Sequence, residues 1–163
     1  MPAVSNTSPI SNLAIIGHLE LLKLQFSELW IPNAVAEELA ANPDPAALAA
    51  IHAAIHDGWI KTANPRNPTL LNLLLPSLHR GEAEAIALAV DLKADTIIID
   101  EHEGRLLARQ AGLSVTGVLG VLLRAKQAGT ISAVQPEILA LRAKARFFIS
   151  KPLETRVLEM AGE

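Results

Sequence analysis

A chain of 163 residues, half of them hydrophobic and 19% charged, is long enough to bury one sizeable core, which favours a folded globule over a disordered chain and argues against a second catalytic domain. It contains no cysteine, which excludes disulfides, thiolate metal sites and cysteine nucleophiles. The formal charge of −3 is unevenly distributed: residues 1–120 hold 7 basic and 13 acidic residues, a net of −6, and residues 121–163 hold 7 and 4, a net of +3.

These totals bear on partners and location. The acidic part, residues 1–120, suits binding of cations more than of phosphates. The basic residues in 121–163 either form an edge that faces an anion or lie on ordinary solvated helix faces. A chain without cysteine suits a reducing cytosol. The start of the chain lacks a basic and apolar leader, and no apolar stretch is long enough to span a bilayer. We therefore expect a cytoplasmic protein.

Strand and helix signals alternate along the chain. Apolar and β-branched runs predict strands at residues 3–6, 29–31, 59–62, 96–100 and 114–116. Capping and helix-breaking residues predict the helices. These are a helix capped by Ser8 and ended by Gly17, then residues 19–24, 32–41, 45–56, a Leu-rich segment closed by Pro76, 81–93, 101–111, 118–127 and two helices within 135–163.

This alternation predicts an α/β fold, with a parallel sheet covered by helices on both faces. The uninterrupted apolar run at residues 96–99 is typical of a central strand that is buried on both sides. In such sheets, ligands bind at the carboxyl ends of the strands. The residues that follow the strands are therefore the first candidates for a functional site.

Polar residues follow two of the predicted strands. Asn6 follows the first strand, and Asp100 ends the fourth, with Glu101 and Glu103 directly after it. Glu101 and Glu103 also lie in the first turn of a helix, where an acid complements the helix dipole. The sequence thus leaves both a stabilising and a functional role open for these two glutamates.

Two more carboxylates are predicted to point inward. Glu82 precedes Ile86 by one turn on an apolar stripe, and Glu38 shares a helix face with Val35. An inward carboxylate is unfavourable unless a cation or a donor meets it. Carboxylates from separate elements repel one another unless a divalent cation neutralises them, and Mg²⁺ and Mn²⁺ prefer oxygen ligands. The pattern is compatible with such a cation site.

The order of several sequence blocks is recognisable. The blocks are residues 4–9, 31–32, 35–39, 81–89, 97–101 and 115–117. Together they resemble the PIN-domain superfamily, and most closely its branch of predicted nucleic-acid-binding proteins related to VapC-type toxins. The resemblance implies a three-layer α/β/α PIN-like domain over residues 1–131, with a C-terminal helical extension, residues 132–163, packed on the same domain.

The resemblance also implies a function. Members of this superfamily are Mg²⁺- or Mn²⁺-dependent endoribonucleases, are frequently homodimers, and in many cases have a small cognate antitoxin. By position, it implies that Asn6, Glu38, Glu82 and Asp100 form the catalytic and metal-binding set, and that Glu103 is a further metal ligand. The residues implied as supporting ones are Thr7, Ser8, Glu84 and Glu101.

Asn6 departs from the family pattern, which usually has aspartate at this position. An amide oxygen can bind Mg²⁺, but it brings no negative charge and cannot act as a base. We therefore expect weaker cation binding than in a site with four acids. Two functions stay open: a metal-dependent endoribonuclease of toxin–antitoxin type, and a weakened or inactive PIN-like module that binds RNA or a protein.

Overall fold

The computed structural model of the protein describes residues 2–163, and within that range five parallel strands form one sheet. In chain order the strands are β1 (Ala3–Ser5), β2 (Leu29–Ile31), β3 (Ile60–Thr62), β4 (Thr96–Ile98) and β5 (Ser114–Thr116). Their order in the sheet is β3-β2-β1-β4-β5. Ser5 at the end of β1 pairs with Ile98 at the end of β4, so the residues that follow these two strands meet at one edge.

Ten helices cover the sheet in the described part of the chain. They are α1 (Thr7–Ile15), α2 (Glu20–Phe26), α3 (Asn33–Ala40), α4 (Pro45–His56), α5 (Pro68–Leu74), α6 (Arg80–Asp91), α7 (His102–Gln110), α8 (Val118–Gln127), α9 (Gln135–Ala145) and α10 (Lys151–Met160). No helix among residues 2–163 is both long enough and apolar enough to cross a membrane.

Side chains that alternate along the strands separate two cores. Val4 and Ile97 face a core built with α5, α6 and α7, whereas Ala3 and Ile98 face a larger core built with the other helices. This arrangement confirms the predicted three-layer α/β/α fold. The larger core includes Ile138 of α9 and Val157 of α10, so the last two helices pack on the same body.

One predicted helix start is wrong. Asn6, and not Ser8, is the residue that precedes α1, and its side chain makes no capping hydrogen bond. Ser8 lies inside the helix, and its hydroxyl donates to a carboxylate from another element, Glu101. A tertiary hydrogen bond has therefore replaced the local cap that the Ser-Pro pair predicts.

Candidate active site

Asn6 and Asp100 lie at the carboxyl edge of the sheet, where the sequence predicts a site. Asn6 is 2% exposed, and its backbone N–H donates to the carbonyl of Ile98, 3.3 Å away, which ties it to the end of β4. Asp100 comes two residues after β4 and is half-buried, with its Oδ2 shielded from solvent. The parallel pairing of β1 with β4 thus places an amide and a carboxyl group at one point of the sheet edge.

The Asn6 amide holds a neighbouring carboxylate. Its Nδ2 donates to Glu101 Oε2 at 2.9 Å, and Ser8 Oγ donates to Glu101 Oε1 at 2.6 Å. An aspartate at position 6 would offer no donor to Glu101 and would repel it. Glu101, which the resemblance gives only a supporting role, is therefore fixed at the centre of this cluster by the residue that departs from the family pattern.

Asp100 is held by the start of α8. Its Oδ1 accepts a hydrogen bond from the backbone N–H of Val118 at 3.0 Å. Burial raises the pKa of Asp100 to about 6; the Val118 N–H and Arg105 oppose this rise, and Glu101 adds to it. A cation close to a carboxyl group with such a pKa would stabilise its charged form and lower this pKa.

Gly117 makes room for the Asp100 carboxylate. A Cβ atom at position 117 would lie 2.3 Å from Asp100 Oδ1 and 2.9 Å from Arg105 Nη1, which is closer than non-bonded atoms approach. Arg105 Nη1 donates to the carbonyl of Ile99 at 2.9 Å, so it lies beside the same carboxyl group. The sequence interpretation missed Gly117 and Arg105. The signal in the sequence was that Gly117 directly follows a predicted strand, residues 114–116.

Glu82 and Glu38 approach the site from α6 and α3. Glu82 is half-buried, and burial raises its pKa; Glu101 and Glu38 raise it further, while His79 lowers it. Glu82 also lines one shallow pocket together with Glu101, which places these two carboxylates on the same side of the site.

The inward orientation predicted for Glu38 is wrong, because its side chain is exposed. Val35 and Leu39 are the buried residues of α3 and form its core-facing side, and Glu38 lies at the margin of that side. Its Oε2 accepts from Thr7 Oγ1 at 2.7 Å, and its Oε1 lies 2.6 Å from where a Cβ of Gly81 would stand. Glu38 thus contacts α1 and α6 at the rim of the site.

Glu84 and Glu103 lie apart from the two strand-end residues. Glu84 is buried, but its carboxylate pairs with Arg80 of the same helix at 3.0 Å and makes no hydrogen bond to Asn6 or Asp100. Glu103 is exposed, and it lines a shallow pocket together with Glu82 and Glu101. Glu103 therefore lies beside the site, and Glu84 forms an ion pair with Arg80 instead of taking part in the site.

The donor atoms of the site fit a hard cation. Only three buried side-chain nitrogen or oxygen atoms of residues 2–163 lack a hydrogen-bond partner, and two of them are Asn6 Oδ1 and Asp100 Oδ2. Unpaired buried oxygens are costly, and amide and carboxylate oxygens are the ligands that a hard divalent cation prefers. No three His, Asp or Glu side chains within the described range are grouped closely enough to hold a metal.

A groove of about 770 Å³ adjoins the site, and we name it the C-terminal groove. Ser8, Asp100 and Glu101 line it, and so do residues of the connection between α9 and α10. The lining residues with a basic or aromatic side chain are His102, Arg105, Arg146, Phe147 and Phe148. Acidic strand ends and basic residues thus face the same space.

Comparisons with known proteins agree with this architecture. The model of a family described as PIN domain matches residues 2–163. No curated protein matches the chain in sequence. The fold is similar to that of a PilT N-terminus domain protein from the hyperthermophilic archaeon Sulfolobus solfataricus, with a TM-score of 0.51 and 18% identity, over 77% of this chain and 93% of that chain.

Proposed function

The chain belongs to the PIN-domain family, and we propose that it is a divalent-cation-dependent endoribonuclease of toxin–antitoxin type that hydrolyses RNA phosphodiesters. The observation that carries the proposal is the pair of buried, partnerless oxygens, Asn6 Oδ1 and Asp100 Oδ2, at the adjoining ends of β1 and β4. Similarity to the archaeal protein supports the fold alone, and the chemistry is argued from the side chains of this chain.

In the proposed site, Asn6, Asp100 and Glu82 hold Mg²⁺ or Mn²⁺, with Glu38 and Glu103 at its margin. The cation, when bound, supplies a Lewis acid that polarises an attacking water and offsets the charge that develops on the phosphate. Burial raises the pKa of Asp100 and of Glu82, so their charged forms are unfavourable in the metal-free protein. A bound cation would stabilise these charged forms.

Three consecutive polar side chains, Asn6, Thr7 and Ser8, also position the acids around this set. Asn6 and Ser8 hold Glu101, and Thr7 holds Glu38, so two consecutive hydroxyl residues of α1 orient one acid on each side of the site. Glu101 is the nearest described carboxylate to the Asn6 amide, and it supplies the negative charge that position 6 lacks. A homodimer and a small cognate antitoxin complete the proposal, as the family resemblance implies.

Cleavage assays with Asp100→Asn test this function. We expect the wild-type protein to cut RNA with Mg²⁺ or Mn²⁺ and not with chelator, and we expect Asp100→Asn to lose that activity. Asp95→Asn is the matched control, because Asp95 is exposed before β4, at the opposite end of that strand. Equal cleavage by Asp100→Asn, or by the wild-type protein with chelator, would refute the proposal.

A second function, an inactive module that binds RNA through the same site, is favoured by the missing charge at Asn6. Asn6→Asp discriminates between the two. If cleavage and tight Mg²⁺ binding appear only in Asn6→Asp, the wild-type chain is a binding module. If the wild-type chain already cleaves, the site is active with an amide at position 6.

A further inference from the structure

Several contacts fix the connection between α9 and α10, residues 146–150. Arg146 adopts a left-handed conformation, with φ 53° and ψ 34°, which turns the chain out of α9. The Phe147 N–H donates to the Leu141 carbonyl at 3.1 Å, and Ile149 is buried. Arg142 donates to the Ile149 carbonyl and forms a two-bond ion pair with Glu154. The backbone of this connection is therefore held in place.

Phe148 is presented to solvent by this fixed backbone. Its side chain is 86% exposed, although Phe147 before it is half-buried and Ile149 after it is buried. It is the most exposed of the large hydrophobic side chains in the described residues, and it lines the C-terminal groove. An aromatic ring held in water beside an acidic site is available for stacking on another flat ring.

Arg146 gives the same rim a free positive charge. Its guanidinium is exposed, lines the groove, and makes no ion pair with any residue in the described range. By contrast, Arg142 and Lys126 in this part of the chain are paired with Glu154 and Glu163. Arg146 and the nearby Arg105 thus face the groove with charge that suits a phosphate.

We propose that residues 146–150 grip single-stranded RNA next to the acidic strand ends, with Phe148 stacked on a base and Arg146 bound to a phosphate. The inference rests on the proposed nuclease function, since it names how that site would hold its substrate. A single strand is favoured because its unpaired bases can leave the stack and meet an exposed ring. The basic residues Arg105 and Arg146 line the groove beside Phe148, which favours an anionic chain as its occupant. Because the exposed Leu153 lines the same groove, binding of a protein instead of RNA is an outcome that the test must separate.

The test measures binding without cleavage. Fluorescence anisotropy with a labelled RNA of about 12 nucleotides, in chelator, gives the affinity of the full chain, since single-strand sites span roughly 4–16 nucleotides. We expect Phe148→Ala to weaken binding at least about 5-fold, in the range of one lost base stack. Arg146→Asn, which tolerates the left-handed conformation, should weaken binding and reduce the slope of log affinity against log salt by about 1.

Two exposed residues of α10 provide matched controls. Met160→Ala removes an exposed apolar side chain and Arg156→Asn an exposed cation, both outside the groove, and neither should change RNA affinity. Unchanged melting temperatures would show that all four variants fold.

Each outcome separates this inference from the proposed function. Three results would overturn the proposed RNA contact by Phe148 and Arg146, even if cleavage is observed. They are unchanged RNA affinity in Phe148→Ala, no RNA binding by the wild-type chain, and an effect of the variants on self-association alone. If RNA binding depends on Phe148 but no metal-dependent cleavage is found, the proposed RNA contact is supported and the proposed nuclease function is refuted.

Discussion

Asp100→Asn should stabilise the metal-free protein at neutral pH. Burial makes the charged Asp100 carboxylate unfavourable and raises its pKa to about 6 from an ordinary 3.8, so ionisation in the folded state is opposed by about 3 kcal/mol. Asparagine carries no charge, and its Oδ1 can still accept from Val118 N–H. The variant should therefore avoid this unfavourable charge and keep the hydrogen bond.

The sign of the pH dependence follows from the raised pKa. The folded protein holds the Asp100 proton more tightly than the unfolded chain does, so the stabilising contribution is complete below pH 3.8 and is lost as the pH rises through about 6. The difference in free energy of unfolding between variant and wild-type protein should be near zero at about pH 3. It should grow to about 3 kcal/mol at pH 7.5, or about 6–12 °C in melting temperature.

Urea unfolding in chelator at several pH values measures this difference, and Asp95→Asn corrects for effects of net charge, because Asp95 is exposed. Saturating Mg²⁺ should stabilise the wild-type protein and leave Asp100→Asn nearly unchanged. A variant that is less stable than wild-type protein at pH 7.5, or a difference that does not change with pH, would show that Asp100 is not an unfavourable buried charge.

Three other substitutions have defined outcomes. Asn6→Asp should lower the melting temperature in chelator, since it replaces the donor to Glu101 with a like charge, and should increase the stabilisation by Mg²⁺; an unchanged Mg²⁺ response would contradict the proposed ligand role. Gly117→Ala places a Cβ 2.3 Å from Asp100 Oδ1, so we expect a loss of about 1–3 kcal/mol in urea unfolding and of most RNA cleavage, whereas full activity would mean that Asp100 can shift freely. Glu163 accepts from the Val134 and Gln135 N–H groups, which lower its pKa, so Glu163→Gln should lower the melting temperature at pH 7. This difference should shrink as the pH falls below 4.5, and a difference that does not change with pH would contradict the hydrogen-bond explanation.

The fold was largely predictable because local signals agree with the tertiary structure. The predicted bounds 45–56 and 118–127 are those of α4 and α8, and residues 29–31 and 114–116 are those of β2 and β5. For α4, Asp44 caps the helix by accepting from the Ala47 N–H, with Pro45 in the first position. Periodicity likewise predicted the buried stripe of α6, although it placed Glu38 of α3 on an inward face when that side chain is exposed. The resemblance to the PIN-domain superfamily is confirmed.

The details of the site depend on contacts between distant parts of the chain. Ser8 and Asn6 bond Glu101, more than ninety residues away, and no local pattern distinguishes that bond from a helix cap. Gly117 is required by a carboxylate on the neighbouring strand end, which only the β4–β5 pairing reveals. The grouping of strand-end polar residues was therefore predictable, and their individual partners were not.

The polarity of the parallel sheet has a practical consequence. All five strands run the same way, so Asp95 before β4 lies at the edge of the sheet opposite to the acids and the C-terminal groove. Since the chain has no cysteine, Asp95→Cys would create a single thiol for attaching a dye or tethering the protein to a surface. A molecule immobilised there would present its groove away from the support, so single-molecule or surface-based measurements could follow RNA at the site without a label in its way.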